Sequence, residues 1–152
     1  GEAQWAWLEK ELTGSDAQMH VIGTGIQVIS EEHAYEKWSN FPTARKRLFD
    51  LLEKTQPTRP VFISGDRHIA EISKIELPNL KSPLYDITSS GLTHSYEAIL
   101  EKGELNRHRV EDKLTGLKNF GILKIDWKKT PIKVTAQIRG ERDSLLFEQV
   151  IF

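Results

Sequence analysis

Apolar side chains recur at helical spacing in two long stretches of the chain. The first stretch predicts a helix over residues 2–13, with Trp5, Leu8 and Leu12 on one stripe. The second predicts a helix over residues 42–54, which Pro42 opens because proline is accepted in a first helical turn. Residues 31–41 read as a loop with one helical turn, and a further short helix is predicted at about 95–102.

Seven stretches have the apolar content or the alternation of β-strands. They are residues 19–24 with an extension to 29, 61–65, 69–76, 84–88, 120–127, 132–139 and 145–151. The alternation is most regular in 132–139, as expected of a half-exposed antiparallel strand. Apart from its helix, the segment 89–118 is polar and rich in turn residues. Helix–strand alternation followed by a meander predicts an α/β fold.

The composition narrows the class of protein. A chain of 152 residues with 38% hydrophobic and 28% charged residues can form one globular domain. The net charge of -1 and the scattered Lys and Arg residues argue against a nucleic-acid module. No stretch of about 20 apolar residues predicts a membrane span. The chain has no cysteine, which excludes disulfides, thiolate ligands and a cysteine nucleophile but does not select a compartment.

The clearest chemistry follows the predicted strand at 61–65. Gly65 permits a sharp turn, and Asp66 and His68 come next, two residues apart. In an extended segment, such residues lie on the same side. A carboxylate oxygen and an imidazole nitrogen can then serve Zn, Fe or Mn, or two metals that share a site. Arg67 would lie on the opposite side as a structural or supporting residue. On spacing alone, the alternative is a turn carboxylate beside a surface histidine.

Six segments in a fixed order carry a family resemblance. They are Glu2–Leu12, Gly23–Val28, Trp38–Arg45, Ser64–His68, Thr88–His94 and Asn119–Trp127. Together they resemble the PhoD-like alkaline phosphatases, a branch of the calcineurin-like metallophosphoesterase superfamily, and Ser64–His68 is similar to that family's SGDxH box. The resemblance extends over residues 1–152. It implies the carboxyl-terminal part of a metallophosphoesterase-type β-sandwich flanked by helices, ending in an antiparallel meander.

The resemblance also implies ligands that this chain does not contain. Superfamily members take metal ligands from an early Asp, a Gly-Asp segment, an Asn-His segment and a late Gly-Asp-x-His segment. Only the last is present here, with Asp66 and His68 as the implied ligands of two bridged metals. We therefore expect residues 1–152 to be a single domain or a half-domain that lacks the amino-terminal metal-ligand half. A carboxylate at the first position favours Ca, Mn or Mg over Zn, and the cofactor is expected to be a pair or cluster of Ca, Mn, Fe or Zn.

Four further residues are candidates for supporting the metals or contacting substrate. Gln27 could hydrogen-bond a bound water or coordinate weakly, or else be a buried amide that organises its loop. Arg45 could pair with a phosphate or lie on a helix surface, and His94 could line the mouth of the pocket. Trp38 is the fourth. The remaining histidines, His20, His33 and His108, are expected to be structural or solvated, and Ser89 and Ser90 are expected to form a turn.

The sequence thus predicts a metal-dependent phosphoesterase acting on phosphate mono- or diesters. A metal-activated water would attack, and no side chain is assigned as catalytic. The alternative is a catalytically incomplete family remnant that acts as a binding domain, and this chain alone is expected to be inactive. The apolar side chains of Leu123, Ile125, Val134 and Ile138 are expected to need a cover, which predicts a homodimer or aggregation. No membrane partner is expected, and the resemblance allows an exported or periplasmic location.

Overall fold

The predicted helices and strands assemble into two β-sheets with helices against one of them. A computed structural model describes residues 1–152. The helices are α1 (Glu2–Leu12), α2 (Pro42–Thr55) and α3 (Ile99–Lys102), with short 3₁₀ turns at Trp38–Asn40 and Glu141–Asp143. The strands are β1 (His20–Gly23), β2 (Pro60–Ser64), β3 (Ala70–Ile75), β4 (Leu84–Ser89), β5 (Arg109–Thr115), β6 (Phe120–Asp126), β7 (Lys133–Arg139) and β8 (Leu145–Val150). None of the helices combines the length and the apolar character that crossing a bilayer requires.

The larger sheet is mixed and has the strand order β1-β2-β4-β3-β5. Its first three strands are parallel, whereas β3 pairs antiparallel with both β4 and β5. The smaller sheet is the antiparallel meander β6-β7-β8. This is the predicted α/β architecture, and the parallel strands place the carboxyl ends of β1, β2 and β4 at one edge.

The two sheets bury their apolar faces against each other. Val61, Ile72 and Ile87 from the larger sheet pack in one cluster with Val134 and Ile138 of the meander. Val134 and Ile138 are completely buried, so the expectation that they need a cover from a second molecule is wrong. The larger sheet covers them. Leu123 and Ile125 are partly buried against the same cluster.

A second core fills the space between the larger sheet and the helices. Phe62 projects from β2 into a cluster with Leu12 of α1 and with Leu48 and Leu52 of α2. The alternation along β2 explains the arrangement, since Val61 belongs to the first core and Phe62 to the second. Both faces of the larger sheet at β2 are therefore packed against a hydrophobic core.

Strand β1 ends at Gly23, so the predicted extension to residue 29 is wrong. The segment after it does not form a ladder, because the backbone N–H groups of Val28 and Ile29 donate to the buried carboxylate of Asp86, at 2.6 and 3.2 Å. A side chain takes the role that a neighbouring strand would have had. The apolar residues Val28 and Ile29 are buried in a loop and not in a strand.

The segment 89–118 contains a strand that its polar sequence did not predict. Strand β5 lies at the sheet's edge beside β3, and the register of the pair shifts between Glu71 and Ser73. Edge strands tolerate charged residues, which hides them from an alternation analysis. Helix α3 is also shorter than predicted, four residues against about eight.

Candidate metal centre

Three loops meet at the edge where the parallel strands end. They follow β1, β2 and β4, and contain residues 23–25, 65–68 and 89–94 respectively. Gly65 lies so close to its neighbours that an added Cβ would be 3.4 Å from the Cβ of Ser90 and 3.8 Å from the oxygen of Gly25. A cavity of about 720 Å³ opens among these strand ends and β6, with Leu92, Phe120 and Leu123 in its lining. The topology thus brings separate sequence blocks to one place.

Asp66 and His68 both lie on this edge with exposed side chains, and Arg67 between them is buried. The segment is not the extended one that the spacing argument assumed. Asp66 and His68 both have left-handed backbones, with φ of 70° and 55°, which is uncommon for residues other than glycine. Each such conformation costs of order 1 kcal/mol and is typical of functional loops. The exposed side chains of Asp66 and His68 therefore alternate with the buried side chain of Arg67 because two residues have strained backbones, and not because the segment is extended.

The donor atoms of the pair are not used within the chain. The Asp66 carboxylate forms no hydrogen bond or ion pair, and the His68 imidazole forms none either. Only the backbone of His68 is engaged, through its N–H to the Ser90 hydroxyl at 3.0 Å and its carbonyl, which accepts from Tyr96 at 2.9 Å. A hard oxygen and an imidazole nitrogen on a fixed backbone fit a metal site.

His94 joins this pair. Its ring centroid is 5.9 Å from that of His68, and its Nδ1 is 3.1 Å from the Thr93 hydroxyl. Its loop is fixed on both sides, because the Tyr96 N–H donates to His68 and the Asn119 N–H donates to Gly91, at 3.1 Å. His94 therefore lies beside His68, and its place at the mouth of a pocket stays a prediction, since other residues line the cavity at the strand ends.

Few side chains of the kinds that bind metals come together in this chain. No group of three or more His, Cys, Asp or Glu side chains is arranged to hold a metal ion. Asp66 and His68 are two ligands at most, and a bridged pair of metals needs more. The pairing of a carboxylate oxygen with an imidazole nitrogen fits the predicted metals.

Gln27 lies beneath the edge as a buried amide with every contact made inside the chain. Its Nε2 donates to Glu71 at 3.0 Å and to Thr88 at 2.9 Å, and its Oε1 accepts from Arg67 at 3.1 Å. These contacts are those of the second alternative from the sequence, an amide that organises its loop. Gln27 ties the loop after β1 to β3, β4 and the metal-ligand loop.

Asp86 is a fully buried carboxylate in the middle of β4, next to Gln27's loop. Burial raises its pKa to about 6, while hydrogen bonds from Ser64 and from the backbone of Val28 and Ile29 act in the opposite direction. Ser64 donates at 2.7 Å. The pKa remains raised because burial outweighs three donors. Asp86 therefore fixes the loop after β1 at an electrostatic cost.

Arg45 and Trp38 form no hydrogen bond with Asp66 or His68, and their partners lie elsewhere. All three Arg45 guanidinium nitrogens are engaged, with the carbonyls of Val28 and Ile29 and with Glu31, at 2.7 to 2.8 Å. A substrate phosphate would have to displace these bonds. The Trp38 indole donates to the Thr24 hydroxyl at 3.0 Å and so fixes the loop after β1.

The other three histidines have structural surroundings. His20 contacts the Thr58 carbonyl and the Ser15 hydroxyl, both at 2.9 Å. His33 is buried, and burial, followed by the charges of Arg67 and Lys37, lowers its pKa to about 3. Burial also lowers the pKa of His108. None of the three lies on the loops that carry Asp66 and His94.

Two residues of this region escaped the sequence analysis. Asp86 had a signal, a single charge inside an otherwise β-favouring run of five residues, Leu84–Thr88. Glu104 had none, because it lies in a polar segment where one more carboxylate is unremarkable in composition. It forms a buried ion pair with Arg67 at 2.8 Å, which only the tertiary structure reveals.

A second cavity of about 700 Å³ lies between α1 and β1, at the open edge of the larger sheet. Trp7 and Val21, both about half exposed, line it together with Leu8 and Trp38. No strand pairs with the outer edge of β1. The chain therefore exposes apolar surface beside an unpaired strand.

Comparisons with known proteins agree with this fold. The family model described as PhoD-like phosphatase matches residues 1–136. A solved structure titled "Structure of PhoD" superposes with a TM-score of 0.75 at 15% sequence identity. The match covers 99% of this chain and 31% of that one, so the chain spans about a third of the length of the PhoD structure. No curated protein matches the chain.

Proposed function

The chain belongs to the PhoD-like phosphatase family, and from that premise we propose that the complete protein is a metal-dependent phosphoesterase to which this chain supplies two metal ligands. The ligands are Asp66 and His68. The observation that carries the proposal is their geometry: both side chains are exposed and free of internal bonds, on a loop at the carboxyl edge of parallel strands whose backbone is bonded to Ser90 and Tyr96. Ligand sites of open α/β sheets lie at this edge.

Each residue of the edge has a defined task in this proposal. The Asp66 carboxylate offers a hard, anionic oxygen, which favours Ca or Mn, and the His68 imidazole offers a nitrogen, which also suits Fe or Zn. Bound metals would lower the pKa of a water towards neutrality and neutralise phosphate oxygens. The His94 ring lies beside that of His68, with 5.9 Å between the ring centroids, and would contact the phosphate ester. The substrate is a phosphate mono- or diester.

The test is hydrolysis of an aryl phosphate by the complete protein, with and without a chelator. Asp66→Ala and His68→Ala are each expected to lower kcat/KM by about 100-fold or more, since weaker outer-shell changes at metal sites already cost 10–100-fold. Asp16→Ala is the matched control, because Asp16 is an exposed carboxylate in the turn that precedes β1, at the opposite end of that strand. Full activity in both site variants contradicts the proposal.

A second function is favoured by one observation, the absence of a third metal ligand within the chain. The chain would then be a catalytically incomplete relative that binds a partner. Calorimetry of the complete protein with Mn²⁺, Ca²⁺, Zn²⁺ and Fe²⁺ separates the two functions. Binding at or below micromolar Kd counts against the incomplete relative, and no heat with any of the four metals supports it.

A further inference from the structure

We infer that Arg67 is a positioning residue that, through Glu104 and Gln27, holds Asp66 and His68 in the backbone conformations in which they present their donor atoms. The inference rests on the proposed function in one respect, the role of Asp66 and His68 as metal ligands. It concerns a different residue and a different kind of contact, because Arg67 faces the interior and touches no ligand.

The contacts of Arg67 define a clamp. Its side chain is 3% exposed, and its Nη2 donates to both oxygens of Glu104, at 3.0 and 2.8 Å. Its Nη1 donates to the amide oxygen of Gln27, and its guanidinium lies over the Tyr35 ring, 4.5 Å from the centroid. A planar guanidinium bound on three sides is fixed in both position and orientation. These contacts tie the side chain of Arg67 to three separate segments of the chain.

The partner of the clamp is itself anchored to the sheet. The Glu104 carbonyl accepts from Arg109 at 2.7 Å, and the Arg109 Nε donates to Glu71 of β3 at 2.7 Å. Asn106, from the same loop, donates to Glu71 and to Ser73. Glu71 is fully buried and also accepts from Gln27. A continuous set of bonds thus runs from the interior of β3 to Arg67.

The strained residues explain why a clamp is needed. Asp66 and His68 have positive φ on either side of Arg67, and neither is a glycine. Strain of this kind persists only where the surroundings over-determine the backbone. Neither side chain contributes, since both are free of internal bonds. The side chain of the intervening residue is the tightest constraint on the loop, together with the Ser90 and Tyr96 bonds to the backbone of His68.

Removing Arg67 alone would leave Glu104 as a buried, unpaired charge, so a single substitution confounds positioning with stability. The double variant Arg67→Met/Glu104→Met avoids this, because apolar side chains of similar length replace both charges. Replacement of a buried ion pair in this way is often neutral for stability. Arg45→Met is the matched control. Arg45 also fixes a loop through three bonds, but that loop contains neither Asp66 nor His68.

Two measurements on the 152-residue chain test the inference. The first is the backbone order parameter of Asp66, Arg67 and His68 from ¹⁵N relaxation, which should fall from about 0.85 in the wild type to below about 0.6 in the double variant. The second is broadening of the His68 ring protons by Mn²⁺, which should require at least tenfold more metal. The Arg45→Met control should change neither, and the melting temperature of the double variant should stay within a few degrees of the wild type.

The two measurements separate the inference from the proposed function. Unchanged order parameters in a folded double variant overturn the inference, whatever Mn²⁺ does. An equally large loss of order in Arg45→Met also overturns it, because the effect would then be a general loosening. If Mn²⁺ does not broaden His68 in the wild-type chain, which offers at most two ligands, the order parameters alone decide whether Arg67 holds the loop, and the aryl-phosphate assay of the complete protein decides the metal-ligand assignment. If the double variant does not fold, the order parameters of Arg67→Lys decide in its place. This variant keeps a charge for Glu104 but not the second bond to Gln27. Wild-type order parameters overturn the inference, and lowered order parameters support it.

Discussion

Asp86 shows how a single buried residue can organise a loop and impose a pH dependence at the same time. Its carboxylate accepts from Ser64 and from the backbone of Val28 and Ile29, and so takes the place of a strand partner. Its pKa is raised from 3.8 to about 6, with burial as the largest cause. The folded state therefore binds this proton more tightly than the unfolded state does.

The raised pKa predicts the sign of a stability change. The contribution of Asp86 is fully present below about pH 3.8 and is lost as the pH rises to about 6. The two pKa values differ by an amount that corresponds to about 3 kcal/mol. We expect the free energy of unfolding of the wild type, relative to Asp86→Asn, to fall by about this amount between pH 4 and pH 7. Urea unfolding of both proteins at several pH values measures it.

The comparison with Asp86→Asn is needed because His33 acts in the opposite direction. Its pKa is lowered to about 3, so its contribution increases as the pH rises from about 3 to 6.5. The wild-type curve contains both effects, and the difference between the two proteins cancels His33. Parallel stability curves for wild type and Asp86→Asn would contradict the assignment of this pKa.

From the sequence, the position of exposed residues in the fold could be predicted, but contacts between residues distant in sequence could not. Asp66 and His68 follow a recognisable strand and glycine, so their place at the sheet edge could be predicted. The spacing predicted that both side chains lie on one side because the segment is extended. In the structure both side chains are exposed because Asp66 and His68 have positive φ angles. The Arg67–Glu104 pair joins residues 37 positions apart in sequence, and no local pattern indicates such a contact.

At the scale of elements, periodicity located most of the helices and strands but missed the edge strand β5. Helices α1 and α2 and strands β2, β6 and β7 lie where their apolar patterns predicted them. Strand β5 escaped because an edge strand has one free side and carries charge there, as its sequence Arg109–Thr115 does. The loop after β1 was predicted to continue the strand because its apolar residues are typical of a buried strand. Those residues are buried, but their backbone N–H groups donate to a carboxylate and not to a neighbouring strand.

The turn after β5 gives a prediction about how elements hold the site. An added Cβ at Gly116 would lie 2.1 Å from the Tyr96 backbone oxygen and 2.8 Å from Ile99. Gly116→Ala must therefore displace the segment at Tyr96, whose N–H is bonded to His68. We expect a destabilisation of about 1–3 kcal/mol, as for other overpacked sites. The His68–His94 ring contact should also be lost.

Thermal unfolding and a nuclear Overhauser effect between the two imidazole rings measure these effects. Gly23→Ala is the control, because its added Cβ meets no atom within 4 Å and its backbone φ is not positive. It should leave both the melting temperature and the ring contact unchanged. Wild-type behaviour of Gly116→Ala would show that the Tyr96 segment is not packed as described.

At the scale of the whole molecule, the sheet sandwich was predictable but its internal closure was not. The meander and the larger sheet were both expected, but the apolar face of the meander was expected to lack a partner within the chain. Val61, Ile72 and Ile87 supply it. Which faces of two sheets pack together depends on the order and direction of their strands. That topology cannot be predicted from periodicity for a mixed sheet in which one strand, β5, was missed.

The chain is also expected to show no phosphatase turnover by itself. Its side chains provide Asp66 and His68 but no group of three metal ligands, and two bridged metals require more. An aryl-phosphate assay of the 152-residue chain with Mn²⁺, Ca²⁺, Zn²⁺ or Fe²⁺ should give only the rate of buffer plus metal. Metal-dependent turnover that disappears in His68→Ala would mean that this chain completes the site alone.

The open edge of β1 determines how the isolated chain should behave in solution. Trp7 and Val21 expose apolar surface in the groove between α1 and β1, and the outer side of β1 has no partner strand. An unpaired strand beside apolar surface is prone to pair with another chain. We therefore predict that the chain dimerises or aggregates through this groove and not through the meander.

Light scattering over a range of concentrations measures this association, and one charged residue should suppress it. Val21→Lys places an ammonium group in the groove, as natural edge strands do, and is expected to shift the chain to a monomer. Trp127→Lys is the matched control, because Trp127 is 60% exposed but lies after β6, outside the groove. Its association should equal that of the wild type. If Trp127→Lys suppresses association and Val21→Lys does not, the interface lies on the meander. If the wild type is a monomer at every concentration, the groove does not mediate association.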